Sequence, residues 1–211
     1  MLLLWKGQCL RKRGDALTAY EAFSKAAAML EGGEFDETLL HGQMAHHGVG
    51  TTLVALVASE QLPEGESSER ALQEALKELQ LAARIRGQRG STPVGVAYTE
   101  ENIGFIHILD EDWPTALEHT ERIDRILPLA WNLTVRFIAA KENEAALRSA
   151  DAPREDIRRM EAIQSDTGTV LGLMACNQID RPELKRLLPA KYAETVDELS
   201  RHCDAEPGGQ P

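Results

Sequence analysis

Aromatic residues are scarce in this sequence, and so are the alternating patterns that build β-strands. Phe, Trp and Tyr together make up 5% of the 211 residues. Runs that alternate apolar with polar residues, as in a half-buried strand, are almost absent. Ala, Leu and Glu instead recur at spacings of three and four residues, which is the period of an amphipathic helix. The sequence therefore predicts an all-α fold.

Cysteines and long apolar runs are also few. The 3 cysteines, at positions 9, 176 and 203, form no C-x-x-C pair, which favours a reducing compartment over a disulfide framework or a zinc site. No stretch approaches the roughly 18 apolar residues of a membrane span. The apolar run within residues 1–5 is too short for a signal peptide. These features predict a cytoplasmic protein that does not enter a membrane.

Basic residues are outnumbered by acidic ones. The chain carries 34 acidic and 23 basic residues, for a formal net charge of -11. This balance argues against nucleic acid or an anionic membrane as the principal partner. The densest positive run is Arg11, Lys12 and Arg13. It is interpreted either as a solvated turn or as a local positive strip that attracts an acidic segment of a partner.

Helix boundaries are marked by capping residues, glycines and prolines. Asp15, Ser67 or Ser68, Thr92 and Asp112 are the predicted N-caps. The glycines of the helix predicted over residues 36–61 indicate a close helix approach, a kink, or a break near His47. We predict one helical domain over residues 1–203. Residues 204–211 contain two glycines and two prolines and are predicted to be a disordered tail.

Residues that could carry catalysis or bind a metal do not form a recognisable constellation. His41 lies five residues before His46 and six residues before His47. Two metal ligands on one helix face are four residues apart, so these separations do not form such a pair. Surface or packing roles are therefore favoured for them. Glycine-rich phosphate loops and nucleophile elbows are missing from the sequence. It predicts no catalytic, cofactor or metal site, and hence a protein that is not an enzyme.

Two segments resemble the tetratricopeptide repeat, a pair of antiparallel helices with small residues where the helices meet. In the first segment, Gly7 precedes Ala19, Phe23 and Ala26. In the second, Gly104 precedes Ala116 and a terminal Pro128. Gly7 to Ala19 and Gly104 to Ala116 are both separated by twelve residues, as in that family.

The resemblance is clearest over residues 1–128 and implies an irregular α-solenoid of antiparallel helix pairs. The intervals between Ala19, Ala75 and Ala116 are 56 and 41 residues, where a regular array would have 34. In this family the first helix of each pair lines a groove that binds peptides or partner helices. The resemblance therefore implies a protein-binding or peptide-binding scaffold, whose groove is lined in this chain by Gln8, Arg11, Lys12, Tyr98, Phe105, Ile108 and Leu109.

Other interpretations of the sequence remain open. A helical bundle without repeats has the same small-residue and leucine periodicity. The chain is also interpretable as a regulatory or sensor fragment of a larger regulator, or, as a third possibility, as a helical enzyme or metal-binding protein. The exposed apolar positions Leu2, Leu3 and Trp5 of the first helix predict a homodimer contact.

Overall fold

The computed structural model describes residues 1–30, 36–88, 93–124, 130–173, 188–195 and 197. Every regular element within these ranges is a helix, which confirms the predicted all-α class. The chain divides into two compact units, Met1–Asp110 and Glu111–Pro211. This division leaves the single repeat domain over residues 1–203 a prediction. The predicted tail, residues 204–211, lies outside the described residues.

The described part of the first unit consists of helices that pack in chain order. These are α1 (Leu2–Lys12), α2 (Ala16–Leu30), α3 (Asp36–Ala58), α4 (Ser68–Gln88) and α5 (Pro93–Leu109). Each helix contacts the next one, and α3 also contacts α1 and α5. Alanine supplies much of the interface, since the buried residues include Ala19, Ala22, Ala26, Ala27, Ala45, Ala71, Ala75 and Ala82. Such small side chains allow helix axes to approach closely.

Predicted caps begin three of the described helices. The Asp15 carboxylate accepts from the backbone N–H of Thr18 at 3.1 Å, and Ser67 Oγ accepts from the N–H of Arg70 at 3.2 Å. Asp112 accepts from the N–H of Thr115 at 3.3 Å. Each side chain satisfies a backbone donor that the first helical turn leaves without a partner. Local sequence thus determines where α2, α4 and the helix Trp113–Asp124 begin.

Gly48 and Gly50 of α3 serve close helix packing, which confirms this interpretation for these two glycines, and the predicted break near His47 is not found. Helix α3 is continuous from Asp36 to Ala58. Gly48 lies against the ring of Phe23 in α2, and a Cβ atom built on Gly50 would stand 2.6 Å from Leu79 Cγ in α4. Real Cβ contacts are longer, so any larger residue at Gly50 would displace the buried Leu79 side chain.

The second unit contains α6 (Trp113–Asp124), α7 (Ala130–Ser149), α8 (Arg154–Leu173) and a short 3-10 helix, Ala190–Tyr192. Helix α7 contacts both α6 and α8. The fully buried Asn132 donates from Nδ2 to the carbonyl oxygen of Thr120 at 3.1 Å, which connects α7 to α6. Glu144 accepts from Gln164 Nε2 at 2.6 Å, which connects α7 to α8. The buried Asn132 and the partly buried Glu144 thus connect α7 to its two neighbours by hydrogen bonds.

Candidate functional site

Five of the seven residues assigned to the predicted groove have side chains that reach solvent. Arg11 and Lys12 are exposed at the end of α1, and Gln8 is partly buried one turn earlier. On α5, Tyr98 is 48% exposed and Leu109 is partly buried. These five side chains lie on α1 and α5 of the first unit.

The other two groove residues require a correction. Phe105 and Ile108 are only 2% and 0% exposed, so neither side chain lines an open surface. Residues 103–106 are all buried, and four consecutive residues cover a full helical turn. Helix α5 is therefore covered on every side at this level, and the prediction that its apolar residues face a groove is wrong there.

A buried arginine of α4 organises a polar cluster that the sequence does not reveal. Arg86 is 9% exposed, and its Nη1 donates to Thr99 Oγ1 of α5 at 2.6 Å. With the Gln43 amide turned so that its oxygen faces the guanidinium, this oxygen accepts from Nε at 2.8 Å and from Nη2 at 3.1 Å. One forked cation thereby connects α3, α4 and α5.

Two further groups belong to this cluster because they interact with it electrostatically. Burial lowers the pKa of His47, and the positive charges of Arg86 and Arg11 lower it further, to about 3 from the ordinary value of 6.5. The imidazole is therefore neutral at physiological pH. We call Arg11, Gln43, His47, Arg86 and Thr99 the Arg86 cluster.

The chemistry of the Arg86 cluster suits an anionic acceptor. A guanidinium group has five N–H donors, and within the described residues three of them bind Gln43 and Thr99. Burial alone lowers the pKa of Arg86, so the shift reflects the cost of desolvating the cation. A carboxylate brought to this site would offset that cost and accept the remaining donors.

His46 has the packing role that the sequence favours. His46 Nδ1 lies 2.6 Å from Glu78 Oε2, and the two side chains join α3 to α4. Among the residues that the structure describes, no group of three or more His, Cys, Asp or Glu side chains is arranged to hold a metal ion. Within the same residues, no helix has both the length and the apolarity needed to cross a membrane.

Large apolar side chains are exposed at the start of α1. Met1, Leu2 and Trp5 are 75%, 86% and 64% exposed. Exposed apolar area of this kind is typical of contact surfaces. Leu3 is partly buried, and dimerisation through Leu2, Leu3 and Trp5 stays a prediction.

Comparison with known proteins adds no relative from which a function could be transferred. The sequence matches no protein-family model, and a search of curated proteins finds no match.

Proposed function

We propose that the first unit is a tetratricopeptide-like scaffold that binds an acidic segment of a partner protein. The observation that carries the proposal is the packing of α3, which contacts α1 and α5 in addition to its chain neighbours. Contacts between alternate helices are expected when successive helix pairs stack, because the first helix of each pair then lies beside the first helix of the next. On this basis α1, α3 and α5 are the groove helices.

Packing between α1 and α2 supports the same assignment. Residues 13–15 connect the two helices, and such a short connection between packed helices favours an antiparallel pair. Ala19 is 0% exposed, and Gly7 lies against Phe23. The burial of Ala19 and the contact of Gly7 with Phe23 therefore support the proposal for the first repeat-like segment.

Positive groups on and next to the groove helices support an acidic ligand. Arg11 is exposed at the end of α1, while Arg86 of α4 is buried where it binds Gln43 of α3 and Thr99 of α5. Against a net charge of -11, this local positive region would attract an acidic segment and leave basic or neutral ones unbound. The scaffold is then a binding protein of the cytoplasm, as the few cysteines suggest.

The test uses immobilised full-length protein and an array of short peptides of graded net charge. We expect acidic peptides to be retained, and retention to fall as salt rises. Replacing Arg11 and Lys12 with alanine should lower this retention. The matched control replaces Lys25 and Lys77, two exposed lysines on α2 and α4, so it removes the same charge from helices outside the groove. The proposal is contradicted if retention does not depend on the net charge of the peptide, or if it falls equally in the Arg11/Lys12 variant and in the Lys25/Lys77 control.

A further inference from the structure

A small cavity opens on the first unit between α2, α3 and α4. Its volume is about 220 Å³, and its walls include Tyr20, Ser24, His46, Val49, Glu74 and Glu78 together with two alanines of α2. Pockets for drug-sized ligands have volumes of roughly 300–1,000 Å³. This cavity therefore suits one long side chain or a small organic molecule.

Two carboxylates of α4 are positioned in the cavity, each by one contact. Tyr20 Oη donates to Glu74 Oε1 at 3.2 Å, and His46 Nδ1 lies 2.6 Å from Glu78 Oε2. In each carboxylate the second oxygen is available to another donor, because an ionised carboxylate accepts through both oxygens. The cavity thus presents two oriented acceptors.

Ser24 lies beside Tyr20 at the cavity wall. Its side chain interacts with the Tyr20 hydroxyl and opposes the rise in the pKa of this phenol that burial and Glu74 cause. Ser24 Oγ itself is buried, so the two carboxylates are the acceptors that a ligand can reach.

The cavity mouth is negatively charged. Burial raises the pKa of the Tyr20 phenol, and the charges of Glu74 and Glu66 raise it further. A negative potential around a cavity with several acceptors disfavours an anionic ligand and favours a cationic one. Val49 and the alanines offer apolar wall for methylene groups.

We propose that this cavity binds an organic cation, an alkylammonium or guanidinium group, carried by a free amine or by a Lys or Arg side chain of a protein. Carboxylate oxygens of Glu74 and Glu78 accept from the cation. The aliphatic stem lies against Val49. This site takes the opposite charge to the Arg86 cluster and does not depend on the repeat assignment.

The probes are n-butylammonium, n-butylguanidinium and, as a neutral control of similar shape, n-butanol. Each is titrated into nitrogen-15-labelled full-length protein at one pH and ionic strength. We expect saturable shifts of the amide signals of Tyr20, Ser24, His46, Glu74 and Glu78 with the cations and none with n-butanol. An equal response to n-butanol overturns the proposal, because it would show that charge does not select the ligand.

Variants locate the binding in the cavity. Glu74→Gln should weaken cation binding by about threefold to tenfold, the range for one hydrogen bond or ion pair to a charged group. The control Glu69→Gln removes the same charge from an exposed position of α4 outside the cavity walls and should leave affinity unchanged. Thermal unfolding verifies that each variant is folded. Cation affinity that is unaffected by Glu74→Gln overturns the proposal.

A second pair of probes identifies the source of the cation. The peptide acetyl-Gly-Lys-Gly-amide carries the ammonium on a side chain, and acetyl-Gly-Gly-Gly-amide is its control. Tighter binding of the lysine peptide than of n-butylammonium supports the site and assigns a protein side chain as the ligand. Binding of n-butylammonium alone supports the site and assigns a free amine. If neither n-butylammonium nor the lysine peptide gives a saturable shift, the proposal fails. This outcome does not depend on whether the groove binds acidic peptides.

Discussion

The ring of Phe23 lies so close to Gly48 that a Cβ atom on Gly48 would stand 2.6 Å from the ring atoms Cγ and Cε1. Gly7 of α1 is also close to this ring, since a Cβ atom on Gly7 would stand 2.8 Å from Cζ of Phe23. Phe23 is 1% exposed, so its ring has no room to move aside. A side chain of α2 is thereby held between glycines of α1 and α3.

Gly48→Ala should therefore destabilise the protein. Overpacking a filled core costs about 1–3 kcal/mol, which exceeds the gain of up to about 1 kcal/mol from replacing a helical glycine with alanine. The matched control is Gly42→Ala in the same helix, where a Cβ atom would meet nothing within 4 Å. Gly42→Ala should stabilise the protein. Denaturant unfolding measures both, and a stabilised Gly48→Ala protein would contradict this packing.

Enlarging the small residues of the repeat-like segments should also destabilise each unit. Ala19 in α2 and Ala116 in α6 are both 0% exposed, so Ala19→Leu and Ala116→Leu should each cost about 1–3 kcal/mol. The exposed Ala28, also in α2, provides a control, and Ala28→Leu should have little effect. Chemical unfolding of the three variants tests this, and tolerance at both buried sites would remove the packing basis of the repeat resemblance.

The features that sequence predicts here are those determined within a few residues. Asp15, Ser67 and Asp112 cap helices because each binds an N–H three residues later, and this relation is visible in the sequence. The role of Gly48 is not, because its partner Phe23 lies in another helix. Sequence could therefore predict that α3 needed small residues but could not choose among approach, kink and break.

The candidate site was less predictable for the same reason. Gln43, Arg86 and Thr99 meet through folding of three separate helices, and no linear motif connects them. The family resemblance predicts that Phe105 and Ile108 line a groove, because in that family the first helix of each pair faces the groove. A helix that is apolar on most sides carries no periodic signal for its open face, and in this fold both side chains are buried.

The forked geometry of Arg86 should matter for stability beyond its charge. In Arg86→Lys a single ammonium replaces the group that donates from Nε and Nη2 to Gln43 and from Nη1 to Thr99. Lysine cannot reproduce these three directions, so buried acceptors would lose hydrogen-bond partners. The free energy of unfolding should therefore fall by about 1–3 kcal/mol. Arg84→Lys, at an exposed position of the same helix, is the control. Equal unfolding free energies for Arg86→Lys and the wild type would show that the fork is dispensable.

The depressed pKa of His47 makes stability depend on pH in one direction. Because the folded pKa of about 3 lies below the value near 6.5 of an unfolded chain, the unfolded state binds the proton more readily. This contribution to stability is complete above pH 6.5 and is lost as the pH falls from 6.5 towards 3. Between pH 7 and pH 5 we expect a loss of about 1–2 kcal/mol from this group.

His47→Gln isolates the effect, because glutamine does not titrate while the carboxylates of the protein are unchanged. The unfolding free energy of this variant should fall less steeply between pH 7 and pH 5 than that of the wild type, and the difference between the two curves is the contribution of His47. Arg86→Met should also make this curve shallower. After burial, which is the largest cause of the depressed pKa of His47, the charge of Arg86 is the second-largest cause. Parallel curves for the wild type and His47→Gln would contradict a neutral, buried imidazole beside Arg86.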